Sequence, residues 1–193
     1  MRTHALALVL GLFLAGSVHA AERPARPRGL ASLQLGKGGK WIDVDYGRPL
    51  LRGRHDIFGA GASYGKEVTG QFPVWRLGAN ETTRLKTELP MTIGGKTLAP
   101  GNYDLFAELK NGAWTLIVST QPAIEPGEST TSTKMWGAGG YDPRYDVARV
   151  PMSVAKSAVS VEQLTIGFVD VSAHGAKLQV AWDHTVATAP FSF

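Results

Sequence analysis

The chain contains no cysteine. That absence excludes disulfide staples, a lipid anchor on a processed cysteine and any thiolate zinc site, so stability must come from an ordinary apolar core. Charge is scarce too, at 19% of residues, and the formal balance of +4 is spread thinly, with only Arg23, Arg26, Arg28 and then Arg48, Arg52, Arg54 grouped. A nucleic-acid groove needs a denser basic face interleaved with aromatics, so no nucleic-acid partner is expected. Long apolar runs are missing beyond Val18. The run from Ala5 to Val18 follows Arg2 and His4 and ends at Val18-His19-Ala20, which is the pattern of a signal peptide over residues 1–20. No later segment reaches the roughly 20 apolar residues of a spanning helix. The sequence therefore predicts an exported protein, periplasmic or extracellular, with no membrane span.

Familiar catalytic and metal spacings are missing as well. There is no His-x-His, no His-Glu-x-x-His, no Gly-x-Ser-x-Gly elbow and no EF-hand loop. The most oxygen-rich stretch combines Asp142 and Asp146 with the Gly137 to Gly140 loop, but it matches no known calcium loop, so neither a metal nor a cofactor is expected. Of the three histidines beyond residue 20, His55 falls in a glycine-rich loop and His174 in a turn. His184 shares strand parity with Leu178, Val180 and Trp182, which assigns it to the edge of the core.

Helical periodicity is hardly visible, and what is there is alternation. Residues 21–32 are Pro/Arg-rich and read as an extended lead-in, after which a single domain is expected over 33–193. Ile42, Val44 and Tyr46 share one face of a strand, and Thr83, Leu85, Thr87 and Leu89 share another, leaving Arg84 and Lys86 to solvent. Gly94-Gly95 and Asn111-Gly112 are hairpin signals, because tight two-residue turns require positive φ. Trp114, Leu116 and Val118, then Leu164, Ile166 and Phe168, then Leu178, Val180 and Trp182 continue the pattern. Some eight to ten short strands with turns between them define an all-β class, an antiparallel β-sandwich or jelly roll. Gly47 to Gly65 and Gln121 to Tyr145 break the periodicity, and long irregular connections are where binding is often done.

The densest chemistry lies in Val74-Trp75-Arg76-Leu77-Gly78-Ala79-Asn80-Glu81-Thr82-Thr83. Arg76 offers a planar fork to a carboxylate, phosphate or hydroxyl pair, and Asn80 and Glu81 can orient the remainder. The architectural alternative is a buried Arg76–Glu81 ion pair around an Asn80 corner, with Thr83 serving the strand. Arg48, Arg52 and Arg54 can form an anion-binding rim, or Arg54 can pin a solvated loop. Asp43 and Asp45 share a strand face about 7 Å apart and read as surface charges, not as a glycosidase pair.

The motifs Tyr46-Gly47-Arg48-Pro49, Gly53-Arg54 with Ile57-Phe58-Gly59, Trp75-Arg76-x-Gly78-Ala79-Asn80-Glu81-x-Thr83, Gly101-x-Tyr103-x-Leu105-Phe106, Trp114, Asp146-Val147-x-Arg149 and Trp182 come in an order that resembles the DUF2911 family of bacterial domains of unknown function. The segment between Phe58 and Trp75 departs from it in being longer and richer in glycine. The resemblance implies an exported all-β domain. With the residues, it supports a non-catalytic binding or interaction domain in which Arg76, Asn80, Glu81, Thr83, Arg54, Tyr46 and Tyr103 meet a small polar ligand, glycan or peptide. The alternatives are a hydrolase using Glu81 as base with Arg76 stabilising charge, or a structural corner with a protein-interaction surface elsewhere. Oligomeric state is left open.

Overall fold

The computed structural model describes residues 27–36, 38–125, 128–129 and 133–193. The expected signal peptide and the start of the lead-in lie outside the described residues. The strands are β1 (Arg28–Gln34), β2 (Trp41–Gly47), β3 (Thr83–Thr87), β4 (Met91–Ile93), β5 (Lys96–Leu98), β6 (Gly101–Lys110), β7 (Ala113–Ser119), β8 (Asp146–Val169) and β9 (Gly175–Ser192). The only α-helix among the described residues is a single turn, α1 (Lys66–Thr69), flanked by Gly65 and Gly70. The protein is all-β, as the alternation predicts.

The strands form one antiparallel sheet in the order β1-β2-β3-β6-β7-β8-β9-β4-β5. The layers of the expected sandwich are therefore one continuous sheet that curls upon itself. β8 makes the turn possible: Asp146 to Met152 pair with β7, and Ser153 to Val169 pair with β9. Just beyond β2 the chain meets the far half of β8, where Leu164 N–H donates to the Pro49 carbonyl (3.0 Å) and Leu51 N–H to the Glu162 carbonyl (2.8 Å). The Tyr46 hydroxyl donates to the Ile166 carbonyl across the same gap (3.2 Å). One core results, with Ile42, Val44, Leu85, Leu105, Leu116, Val118, Leu164, Ile166 and Val180 at its centre.

Three expectations require correction. The paired structure starts at Arg28, not Leu33, since β1 runs in register from Arg28 opposite Gly47 to Gln34 opposite Trp41. The Arg- and Pro-rich composition hides Ala31, Leu33 and Leu35, which pack against the core. Arg84 does not face solvent. The outer surface of β6 and β7 carries a second core of Val74, Phe106, Ile117, Ala123, Met135 and Ala138, and Arg84 lies at its edge. Its guanidinium donates to the Ala123 carbonyl (2.6 Å) and to Glu125 (2.7 Å).

His184 is the third. It is exposed, with Nδ1 2.9 Å from the Ser157 carbonyl. A bulge explains it: the β8–β9 register shifts on either side of the Val161–Asp183 pair, and Asp183 takes φ +50. Before the bulge the even residues Leu178, Val180 and Trp182 face inward; after it the odd residues Ala187, Ala189 and Phe191 do. Between the Lys156–Thr185 and Thr165–Ala181 pairs β8 takes nine steps and β9 four, and that odd offset reverses which β9 residues face inward.

Candidate functional site

The Trp75–Thr83 corner is built by backbone sterics. Trp75 and Ala107 exchange N–H···O bonds of 2.8 Å in both directions, anchoring the entry to β6. The chain then turns through two left-handed residues, Leu77 (φ +52) and Asn80 (φ +64). Asn80 fills the corner position its side chain suits. Leu77 bears the strain of a bulky residue in that region, and it is fully buried, held by packing. Gly47 and Gly78 let two backbones touch. A Cβ on Gly47 would overlap the Ala79 carbonyl oxygen, and one on Gly78 would come within 2.8 Å of the Gly47 carbonyl oxygen. This contact explains why a Tyr-Gly and a Trp-Arg-x-Gly motif belong together.

The corner's side chains divide in a way the sequence does not reveal. Glu81 is paired with Arg28 of β1, at 3.0 Å, and the same guanidinium holds Asp45 at 2.9 Å. The anticipated Arg76–Glu81 pair is thus replaced by a bridge from the lead-in, because β1 runs beside β2. Arg76 instead lies with its guanidinium carbon 5.3 Å from the Trp136 ring centroid. Gly137 completes that seat, since a Cβ there would overlap Arg76 Nη1, and Thr82 donates to the Gly137 carbonyl at 2.7 Å. The irregular Gln121–Tyr145 segment is bound to the corner in this way.

Thr83 is fully buried and its hydroxyl donates to the Leu77 carbonyl (3.2 Å), an internal tie of the turn. Tyr46 is consumed by its bond to Ile166. Tyr103 lies apart, donating to the Ala99 carbonyl (2.8 Å) and lining a different cleft with Arg84 and Asp104. Arg54 is the candidate that the structure brings to Arg76. Both line a shallow cleft of about 100 Å³ with Glu67, Trp75, Gly78 and Trp182. Arg54 stands 5.6 Å above the Trp182 ring, donates to the carbonyls of Leu51 (2.9 Å) and Leu50 (2.8 Å), and pairs with Glu67 at 3.1 Å.

Beneath the cleft Trp75 and Trp182 stack, with centroids 6.3 Å apart and planes inclined by 13°, and Phe58 and Trp114 complete the aromatic cluster. Trp182 Nε1 is buried and has no acceptor. A buried indole N–H usually finds one, so this donor is an unmet polar group in the aromatic cluster beside the cleft. Sequence reasoning missed Glu67 and Trp136, which no local pattern links to the corner. It also missed Asp104, buried on the outer face of β6 with Arg84 Nε 3.7 Å away. Burial pushes the Asp104 carboxyl up to about 7; Arg84 opposes that and Glu125 adds to it.

Asp142 and Asp146, the oxygen-rich pair, are both engaged by cations. Asp142 is held by Arg144, and Asp146 accepts from Tyr141 and Arg149, each at 2.7 Å. The described residues contain no group of three or more histidine or acidic side chains placed to hold a metal ion, and no helix among them is long and apolar enough to cross a membrane.

A single antiparallel sheet, a corner fixed by glycine contacts and a cation-lined cleft over stacked indoles define the class of domain. Residues 29–191 match the family model described as Protein of unknown function (DUF2911), and the chain belongs to that family. No curated protein and no solved structure matches it.

Proposed function

We propose that the domain is a non-catalytic, exported binding module that holds the acidic end group of a small polar ligand, glycan or peptide in the Arg54–Arg76 cleft. The observation that carries this reading is the pairing of two guanidiniums with the stacked Trp75 and Trp182 indoles, where a buried Trp182 N–H has no acceptor. Glu67 is the only carboxylate among the lining residues, so the cleft has an excess of positive charge. A planar carboxylate suits a guanidinium fork and can accept from an indole N–H. At about 100 Å³ the cleft is well below the roughly 300 Å³ of a typical small-molecule pocket, so it takes an end group and leaves the rest of the ligand outside.

The hydrolase alternative is the weaker reading. It asks Glu81 to act as a base, yet that carboxylate is engaged by the Arg28 guanidinium at 3.0 Å and does not line the Arg54–Arg76 cleft. The test is a titration of tryptophan fluorescence and melting temperature with a panel of small carboxylates, including uronates and peptides with free C-termini. Arg76→Gln should abolish the response. Glu67→Gln removes the competing carboxylate and should tighten binding about threefold to tenfold. Equal responses of wild type and both variants, or no response to any carboxylate, would refute the reading.

A further inference from the structure

On the other side of the aromatic cluster lies a larger and more enclosed cavity of about 290 Å³. Its walls come from four separate segments: the Asp56–Tyr64 loop, the Asn111-Gly112 turn, residues 154–156 of β8 and residues 183–185 of β9. We infer that this cavity is a second ligand site, specific for a neutral polyhydroxylated ring such as one monosaccharide unit, and independent of the Arg54–Arg76 cleft.

Three features point to that chemistry. The first is an aromatic wall. Phe58 lines the cavity and is fixed from behind by Trp114 and Trp182, with centroids 4.8 and 6.2 Å away, so it offers a rigid apolar face to the C–H side of a sugar ring.

The second is a set of donors and acceptors with capacity to spare. Asp183 is 4% exposed and accepts two bonds, from Ile57 N–H (3.3 Å) and the Ser160 hydroxyl (3.2 Å). A carboxylate has about four acceptor sites, so half of its capacity is unspent. The Tyr64 hydroxyl accepts from Trp114 Nε1 at 2.6 Å, which leaves its own proton to donate. His184 Nδ1 faces the Ser157 carbonyl, so that nitrogen carries the proton and Nε2 of the neutral ring is an acceptor. Among the described residues neither Lys156 nor Asp56 forms an ion pair. Hydroxyl groups, which both donate and accept, satisfy such a mixed set, whereas an ion of either sign satisfies only part of it.

The third is charge balance. Two carboxylates, Asp56 and Asp183, share the cavity wall with Lys156 and His184, unlike the cation excess of the cleft across the cluster. Asp56 and Asp183 also both adopt left-handed backbone, at φ +50. Such a conformation is strained for a residue with a side chain and is retained where surrounding structure enforces it.

The test is a two-dimensional amide NMR titration of the protein with glucose, galactose, ribose and inositol at millimolar concentration, with acetate and methylammonium as charged controls. A neutral polyol should move the Asn111, Lys156 and His184 amides and leave those of Gly78 and Ala79 in place. Lys156→Ala and Asp56→Asn, both outside the core, should weaken that binding about tenfold each. Arg76→Gln should leave it unchanged, which separates this site from the cleft proposed above. Shifts at Asn111 and His184 produced only by a charged control would overturn the assignment, as would no shift with any polyol or a polyol affinity indifferent to both variants.

Discussion

The corner at Trp75–Thr83 and the bulge at Asp183 both interrupt regular sheet beside the same tryptophan cluster, yet they are held by different means. The corner is fixed by backbone packed on backbone, with Gly47 and Gly78 removing the atoms that would forbid it. The bulge is fixed by a side chain, the Asp183 carboxylate, which collects the Ile57 N–H and the Ser160 hydroxyl. Sterics tolerate almost nothing; hydrogen bonds can be weakened by degrees. The cleft at the corner carries an excess of cations, whereas the cavity at the bulge balances carboxylates against Lys156 and His184, so one aromatic cluster borders two surfaces of different chemical preference.

Breaking the corner should have the largest effect. Gly47→Ala puts a methyl group into the Ala79 carbonyl, a backbone atom with no rotamer to escape to, and should cost about 4 kcal/mol or more in a urea unfolding experiment. A cost under about 1 kcal/mol would show that the two backbones are free to part. Asp183→Ala should be milder, about 3 kcal/mol, because it orphans the buried Ile57 N–H and leaves alanine at positive φ. Its signature is local: hydrogen exchange should quicken over the Gly47–Gly65 loop while β6 and β7 keep their protection.

A second buried aspartate sharpens the contrast. Asp104 has Arg84 Nε at 3.7 Å, and its carboxyl is raised to about 7 from the usual 3.8. In that window the folded chain binds more protons than the unfolded one, so the contribution of Asp104 to stability is full below about pH 4 and is lost as pH rises through about 7. Asp104→Asn should remove this slope and gain on the order of 2 kcal/mol at pH 8, measured as unfolding midpoints across pH. A parallel pH profile in wild type and variant would refute the assignment. The smallest effect belongs to Arg28→Ala. It unpairs Asp45 and Glu81 at partly exposed positions and should cost about 1 kcal/mol, shrinking with added salt. A double-mutant cycle with Glu81→Gln measures that coupling directly.

How much of this was legible beforehand differs from element to element. The hairpin at Gly94-Gly95 has both glycines at positive φ, +57 and +73, as a tight turn demands. Asn80 turns the corner in the left-handed region, and Trp114, Leu116 and Val118 face the core. Those features are local, and so the sequence displays them. The errors all involve a partner distant in the chain. The architectural reading of the corner pairs Glu81 with its neighbour Arg76, whereas the strand order puts Arg28 against it, 53 residues away. Alternation alone leaves Arg84 to solvent, because its own strand does not show that the segment near Ala123 covers it. Strand parity assigns His184 to the edge of the core, because alternation carries no mark of the bulge that exposes it.

The pattern of apolar residues by itself determined that the protein is an antiparallel all-β domain, because side chains alternate across a strand with a period of two and only one face can be buried at a time. Tertiary structure alone decided which guanidinium meets which carboxylate, and that Arg54 and Arg76 share a cleft over Trp75 and Trp182. Long-range pairing depends on strand order and on where the sheet curls, and neither is written in any short stretch of chain. Charge is matched only after the backbone has brought distant segments together.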